Sequence, residues 1–526
     1  MADTRISPWA PLGRRVFRAL WLAVLVSNIG TWMQTVGAQW LLVGDPNAST
    51  LVALVQTASA LPVVLLAPPS GVLADTFDRR HLLLVVQLLQ AAVGLALTVL
   101  AVLGELRPAL LLVFTFALGA GTALTGPAFA ALTPELVPRH QVPAAAALGS
   151  INVNLARAVG PALAGVVIAR LGVPAVFGLN TLSFLAYAAV LALWRPATPD
   201  DDDLPERFLP ALRAGGRYVR HSPVVRRILL RAGTFVFPAI ALWALLPLVA
   251  SRRLGLGAGG YGLLLAALGL GAVGGAVLLP RLRTRWSVNR LIALAMLGYM
   301  VPLVVVVTVA SLPVVLATLL LAGASWVVVL STLSAAMQVF LPPWVRARGL
   351  SHYQVVQASA QAGGGLAWGV LAQAVGLVPA FGLAALLMLF AAGAGVALPL
   401  HDTRHMDTTE VAYWPEPVLT VEPDPEAGPV VVSTTYTVRP EDQAAFVAAM
   451  AAVRRSRRRT GATRWGLFRE GESHDRFVEL YVVASWQEHL RQHVGRLAAY
   501  DRAAEARAVA YSDPPPTVTH LIPPPT

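Results

Sequence analysis

Long apolar stretches without charge dominate this chain and leave it few ways to fold. About 20 apolar residues in a helix cross the hydrocarbon core of a bilayer, where every backbone polar group must be satisfied within the segment. Such stretches lie near 17–44, 50–74, 81–103, 108–132, 146–171 and 173–194. After a charged break at 195–224 they resume near 225–251, 257–280, 287–310, 312–338, 347–376 and 377–399. The pattern predicts an all-α membrane protein of six plus six spans. Composition points the same way. The 526 residues are 56% hydrophobic and 13% charged, against about 45–50% and 25% in soluble domains. That balance excludes a soluble globular chain, and also a disordered one, which needs low hydrophobicity. The absence of Cys excludes a disulfide framework, a thiolate nucleophile and a cysteine metal site.

Charge fixes an orientation. All 40 basic residues are Arg. Residues 1–399 hold 26 Arg against 11 Asp and Glu, residues 400–428 hold one against seven, and residues 429–526 hold 13 against 10. A pI near 10.8 would suit nucleic acid, but the excess sits among the apolar runs, where it faces the anionic cytoplasmic leaflet. No nucleic-acid partner is expected; the partners are the bilayer and a small molecule. With a cytoplasmic N-terminus, the inner segments carry Arg5, Arg14, Arg15, Arg18, Arg79, Arg80, Arg139, the cluster Arg281 to Arg290, Arg346 and Arg348, and the Arg-rich central break. The opposite side carries Arg107, Arg170, Arg252 and Arg253. This bias predicts both termini inside and an even number of spans.

Polar residues recur on the spans at helical steps. Asn28, Thr31, Thr35 and Gln39 share a face of the first span, with Trp32 beside them; Ser150, Asn154 and Arg157 share one on the fifth; Gln354, Gln357 and Gln361 share one on the eleventh. A polar face is costly in lipid, so these sets are candidates to line an interior cavity that holds substrate. The alternative is interhelical hydrogen bonding. Arg157 is the one charged residue that these spans place well inside the bilayer, where it either contacts substrate or snorkels to the inner interface. No Asp or Glu lies deep in a span, so there is no obvious proton site. Gly269-Leu-Gly-Ala-Val-Gly274 matches a dinucleotide-binding pattern, but with no strand before it reads as small-residue helix packing, as does Gly363-Gly364-Gly365.

Two motifs carry a family resemblance. Gly71-Val-Leu-Ala-Asp75-Thr-Phe-Asp78-Arg79-Arg80 follows the second span and resembles the loop 2–3 signature of the major facilitator superfamily. There, ion pairs help hold an inward-closed arrangement, which assigns Gly71, Asp75, Asp78, Arg79 and Arg80 to a gate. Thr76 stands where the family has a basic residue and Asp78 where it has Gly. Ala156-Arg157-Ala-Val-Gly160-Pro161-Ala-Leu-Ala-Gly165 resembles the exporter-associated signature of the same family, with Ala at two Gly positions. It implies that Gly160, Pro161 and Gly165 bend the helix and let a neighbour pack closely. Members with an Arg in the fourth span are often proton antiporters, and residues 109–132 contain none. Val26–Gln34 and Leu132–Pro138 are similar to the enterobactin-exporter branch.

After His401 the chain turns acidic and Pro-rich, as a linker does. Strand-like alternation at 429–438, a helix at 439–459, a hairpin of 465–468 with 477–484, a helix at 486–510 and a strand at 517–522 then give the order βαββαβ of a ferredoxin-like fold. The tail resembles small antibiotic-biosynthesis monooxygenase-like domains, which pair their sheets into a dimeric α/β barrel; dimerisation through the tail is the partner that this implies. His489 and His493 share a helix face without a third ligand, so they are expected to pack or be solvated, and no metal or cofactor is expected. Trp465 and Trp486 are expected in the tail's core. The Arg454 to Arg459 run either complements the helix dipole or faces the inner leaflet.

The expected architecture is a twelve-helix major facilitator fold, with bundles at 1–194 and 225–400 joined by a cytoplasmic connector at 195–224. An acidic linker at 401–428 and an α+β domain at 429–526 follow. The expected function is secondary active export of a siderophore, drug or secondary metabolite across the bacterial inner membrane by alternating access. The alternative is a membrane-anchored monooxygenase-like enzyme or sensor, whose bundle would be only a platform.

Overall fold

The computed structural model describes residues 7, 9–76, 78–194, 208–400, 423–493 and 496–524, with the backbone alone at 67–76, 208–214 and a few single positions. Among them twelve long helices follow one another. The first half comprises α1 (Arg15–Leu41), α2 (Ala48–Thr76), α3 (Arg79–Leu103), α4 (Pro108–Leu136), α5 (Val142–Leu171) and α6 (Val173–Leu193). A shorter helix, α7 (Phe208–His221), lies in the connector, where none was expected. Its Leu, Val and aromatic positions are interleaved with Arg, too short and too charged to read as a span.

The second half comprises α8 (Pro223–Leu248), α9 (Ala258–Arg285), α10 (Val288–Thr308), α11 (Leu312–Phe340), α12 (Pro343–Val375) and α13 (Leu377–Ala397). Eleven of the twelve are long and apolar enough to cross a membrane by themselves. The exception is α12, whose Gln354, Gln357, Gln361 and glycines 363–365 lower its mean hydropathy. Such a helix belongs in lipid only when neighbours cover its polar face.

The two halves repeat. α5 passes into α6 through one residue, Gly172 (φ 82°), and α12 into α13 through Gly376 (φ 90°). Both φ values are open to Gly at no steric cost. The flanking sequences Leu171–Leu179 and Val375–Leu383 share this Gly and the closing Phe-Gly-Leu, with Val-Pro-Ala shifted by one residue between them, as expected for parallel repeats.

The chain forms two compact units. The first holds 1–205, 230–333 and 354–399, most of the helical bundle. At the N-terminal end of its first half, Phe17, Leu20 and Trp21 of α1 meet Leu83, Leu132, Leu148, Tyr187 and Leu191 in a dry cluster. Outward-facing leucines such as Leu89 and Leu95 are exposed, as a lipid-facing surface requires. Asp78 caps α3, its Oδ1 accepting from the His81 N–H at 2.7 Å, which satisfies a donor that a helix start leaves open.

The second unit holds 206–229, 334–353 and 400–526. Its tail contains β1 (Val430–Thr437), α14 (Gln443–Thr460), β2 (Arg464–Arg469), β3 (Arg476–Val483), α15 (Trp486–His493), α16 (Ala499–Val509) and β4 (Thr517–Leu521). The strands form one antiparallel sheet in the order β2-β3-β1-β4, with Val430 opposite Val483 and Val431 opposite Leu521. The helix expected at 486–510 is two helices, because α15 stops at His493 and α16 starts afresh at Ala499. Tyr436, Phe446, Met450 and Phe477 pack α14 on one face of the sheet.

Candidate substrate cavity and its seal

The polar face of α1 is largely tied to its neighbours. Asn28 Nδ2 donates to Asn152 Oδ1 of α5 at 2.9 Å, and Asn152 Nδ2 donates to the Trp21 carbonyl at 2.8 Å. Asn180 of α6 donates to Gln34. The hydroxyls of Thr31 and Thr35 donate to the carbonyls of Ser27 and Thr31 one turn back. Asn152, Gln34 and Asn180 are buried. Each stands near other polar residues of its span (Thr35, Ser150 and Asn154, Thr181), and the sets picked out by helical spacing pass it over.

A second set points elsewhere. On α5, Ser150 and Asn154 are exposed, and among the described residues their side chains bond to their own helix. Arg157, on the same face, sets its guanidinium over the ring of Trp32 at 5.7 Å, a cation–π contact. From Trp32 a row of aromatic rings leads into the second half. Trp243 lies 5.7 Å from Trp32, and Trp326 the same distance from Trp243. Phe235 and Tyr299 pack beyond. Trp326 Nε1 is buried with no hydrogen-bond partner among the described residues. On α12, Gln354 is exposed and Gln357 and Gln361 are half-buried. The row draws on aromatics of α1, α8, α10 and α11, so the sequence does not mark it. A second charge lies within a span as well: buried Arg231, two turns into α8, donates to the carbonyls of Gly395 and Leu398.

The halves are joined toward the α1–α2 turn. Tyr261 OH donates to Gln39 Oε1 at 2.7 Å, and Gln39 Nε2 donates to the Trp243 carbonyl at 3.3 Å. Trp40 stacks on Tyr261. Thr57 donates to the Ala362 carbonyl at 2.8 Å, and Gln373 to the Pro46 carbonyl at 3.3 Å. Between these bonds the backbones touch. A Cβ on Gly165 would lie 2.7 Å from the Gly262 Cα, and one on Gly365 would lie 2.8 Å from Thr57 Oγ1. Gly160 packs equally close to Trp32 of α1. Thus Gly160 and Gly165 sit where α5 meets α1 and α9, and α5 runs unbroken through Pro161. Gly269 likewise meets Ala158, and Gly271 meets the backbone at Leu320, so this glycine-rich stretch is a helix-packing surface.

Of the loop 2–3 motif, the surroundings of Gly71 and the side chain of Asp75 lie outside the described residues. Arg79 pairs with Glu135 at the end of α4, and Arg80 donates to the Leu191 and Ala192 carbonyls at 2.8 and 2.9 Å. Asp78 serves as a helix cap and pairs with His81. An apolar groove lined by Leu88, Leu95, Leu182 and Leu185 runs outside, between α3 and α6. It touches none of the expected cavity residues.

The tail buries a charge cluster of its own. Glu479, fully buried, accepts from Trp465 Nε1 at 2.7 Å, Tyr436 OH at 3.1 Å and Arg457 Nε at 3.4 Å. Arg457, held by Glu479, and Arg459, ion-paired with Asp501, are buried rather than turned to a leaflet. Alternation shows which way a strand residue points, but not that a carboxylate waits beneath it. Trp486 lies in the core, and Trp465 flanks it. His489 is buried between Trp486, His493 and His520. Burial, with those two histidines beside it, pushes its pKa down to about 3. Among the described residues no group of three or more His, Asp or Glu has a metal-binding arrangement.

The sequence profile of the transmembrane secretion effectors matches residues 6–524. The chain belongs to that family. The match runs through the tail as well as the bundle. Enterobactin exporter EntS of Shigella boydii serotype 4 is 30% identical over 285 residues, 54% of this chain and 67% of the relative. Macrolide efflux protein A of Streptococcus pyogenes is 25% identical over 44% of this chain. The MFS-type transporter YfiS of Bacillus subtilis is 29% identical over 40% of it. The chain spans 58% of the macrolide efflux protein and 51% of YfiS. Among solved structures, a bacterial homologue of the lysosomal transporter Spinster, inward-facing and unoccupied, superposes with a TM-score of 0.58 at 14% identity, over 73% of this chain and 94% of its own. The nucleoside transporter NupG gives 0.57 at 11% identity, over 73% and 99%. These likenesses establish the major facilitator fold.

Proposed function

We propose that this secretion effector exports a small molecule from the cytoplasm by alternating access, and that the described structure is its inward-facing state. The observation that carries the reading is the one-sided join between the halves. With the N-terminus inside, as the Arg distribution predicts, the α1–α2 turn faces outward. Gln39, Thr57 and the Gly165–Gly262 contact then form an outer seal. Arg157, Asn154 and the aromatic row from Trp32 to Trp326 lie on the inner side of that seal, where Gln357 and Gln361 complete a polar wall. Arg79 and Arg80 belong to the inner gate. Relatives that export enterobactin and macrolides support a bulky organic substrate, and siderophores, drugs and secondary metabolites are the classes to test.

The tail's strand order is that of a ferredoxin-like domain, and its resemblance to monooxygenase-like domains stands on that order. A profile match continuing to residue 524 favours a tail that works with the transporter over one that the bundle merely anchors. The open sheet face, where Phe468 and Leu521 are exposed, is where a second copy would pair. An efflux screen in a strain stripped of its own exporters tests the function: expression of this chain lowers cellular accumulation of a substrate. In inside-out vesicles that substrate should accumulate in the lumen, and extrusion from them would reverse the assigned direction.

A further inference from the structure

In the second unit, the tail holds parts of the transporter's second half through side chains buried on both sides. Arg459 of α14, ion-paired with Asp501, lies between the rings of Tyr500 and Tyr218, its guanidinium 4.9 and 5.6 Å from them. Tyr218 belongs to α7 and is fully buried. Its ring meets Trp344, in the first turn of α12, edge-on at 5.7 Å. Arg496 of the tail also lies on Trp344, 5.1 Å from its ring. Arg496 binds both oxygens of Glu488 at 2.7 and 3.0 Å, and Arg217 of α7 reaches the same carboxylate at 3.7 Å. Burial raises the pKa of that carboxyl, but Arg496 and the other arginines prevail and hold it below its ordinary range. A Cβ on Gly215 would lie 2.9 Å from Arg348, so α7 also packs against α12 itself.

We propose that the tail is a built-in clamp that ties α7 to the start of α12 and thereby stabilises the outwardly sealed state. The helices that leave the clamp are those that carry the seal. α8 follows α7 after Ser222 and bears Trp243, whose carbonyl Gln39 holds; α12 bears Ala362, Gly365 and Gly369, which meet α2. Packed helices transmit such a bias when both ends belong to one two-state element. Loosening the clamp lets the near ends of α8 and α12 part and weakens the closed seal at their far ends. This inference rests on the alternating-access reading.

The chain's lack of Cys supplies the test. Thr50, half-buried, donates to the Gly369 carbonyl in the seal, so a Thr50→Cys thiol in the full-length protein reacts faster with a membrane-impermeant maleimide in right-side-out vesicles when the seal opens. Trp344→Ala is expected to raise the labelling rate about fivefold or more, the low end of ordinary site-to-site coupling. Trp344→Phe, which keeps a ring for Arg496 and Tyr218, should stay near the parent rate. Glu488→Gln, isosteric with the parent side chain, should move the rate in the same direction as Trp344→Ala. Unchanged labelling in both Trp344→Ala and Glu488→Gln, while trypsin cleaves their tails faster than the parent's, overturns the clamp. A parent thiol whose labelling never changes with transported substrate overturns the alternating-access reading instead, and the clamp with it.

Discussion

Arg157 concentrates the conflict between a charge and a bilayer. A charged side chain at the bilayer centre costs at least about 2.5–3.5 kcal/mol, and here the face of Trp32 offsets part of that cost. If the charge serves the substrate, Arg157→Ala and the bulkier Arg157→Met should both abolish efflux at matched membrane abundance. If the side chain only packs on Trp32, Arg157→Met should keep most of it; efflux assays with immunoblotted membranes decide. A second residue sets a pH dependence. Folded His489 has its pKa pushed to about 3, whereas an unfolded His titrates near 6.5. Between those values the unfolded chain binds a proton that the folded tail refuses, so stability is full above about pH 6.5 and falls as the pH drops toward 3. The loss is about 1.4 kcal/mol for each pH unit below the upper value. Proteolysis of the tail from pH 7.5 to 5 should show this acid sensitivity, and His489→Leu should flatten it.

At the scale of elements, glycine positions decide which helices meet. Gly165 and Gly262 leave α5 and α9 in backbone contact, so Gly165→Leu should insert normally yet fail to close the outer seal. Transport should be lost, and a Thr50→Cys thiol should label at its open-state rate. In the tail, β3 presents Glu479 to Tyr436, Arg457 and Trp465. Removing one partner of a buried ion pair costs roughly 3–5 kcal/mol, so Glu479→Ala should lower the tail's unfolding temperature markedly in a protease-coupled melt. The strands and α14 were legible from alternation and from the Arg run, because backbone period alone places them. That Arg457 of α14 turns to Glu479 of β3 and to Glu505 of α16, and not to lipid headgroups, was not legible. It depends on which side chains stand opposite once sheet and helix have packed.

For the whole molecule, the Arg asymmetry makes a topological prediction. An alkaline phosphatase fusion after Arg107 should be active, and one within residues 200–203 inactive; the reverse pattern would invert the transport direction as well. Sequence alone determined the long helices, their order, the six-plus-six grouping and the family-like motifs at 71–80 and 156–165. Each of these follows from local hydropathy, charge and residue size, quantities written along the chain. Only the tertiary structure decided that Gln39 joins Tyr261 across the halves, that Asn28 is bound to Asn152, and that Trp344 lies between Tyr218 and Arg496. Those pairings join residues more than a hundred positions apart, and a partner's identity is a matter of distance in space, on which the period of a sequence is silent.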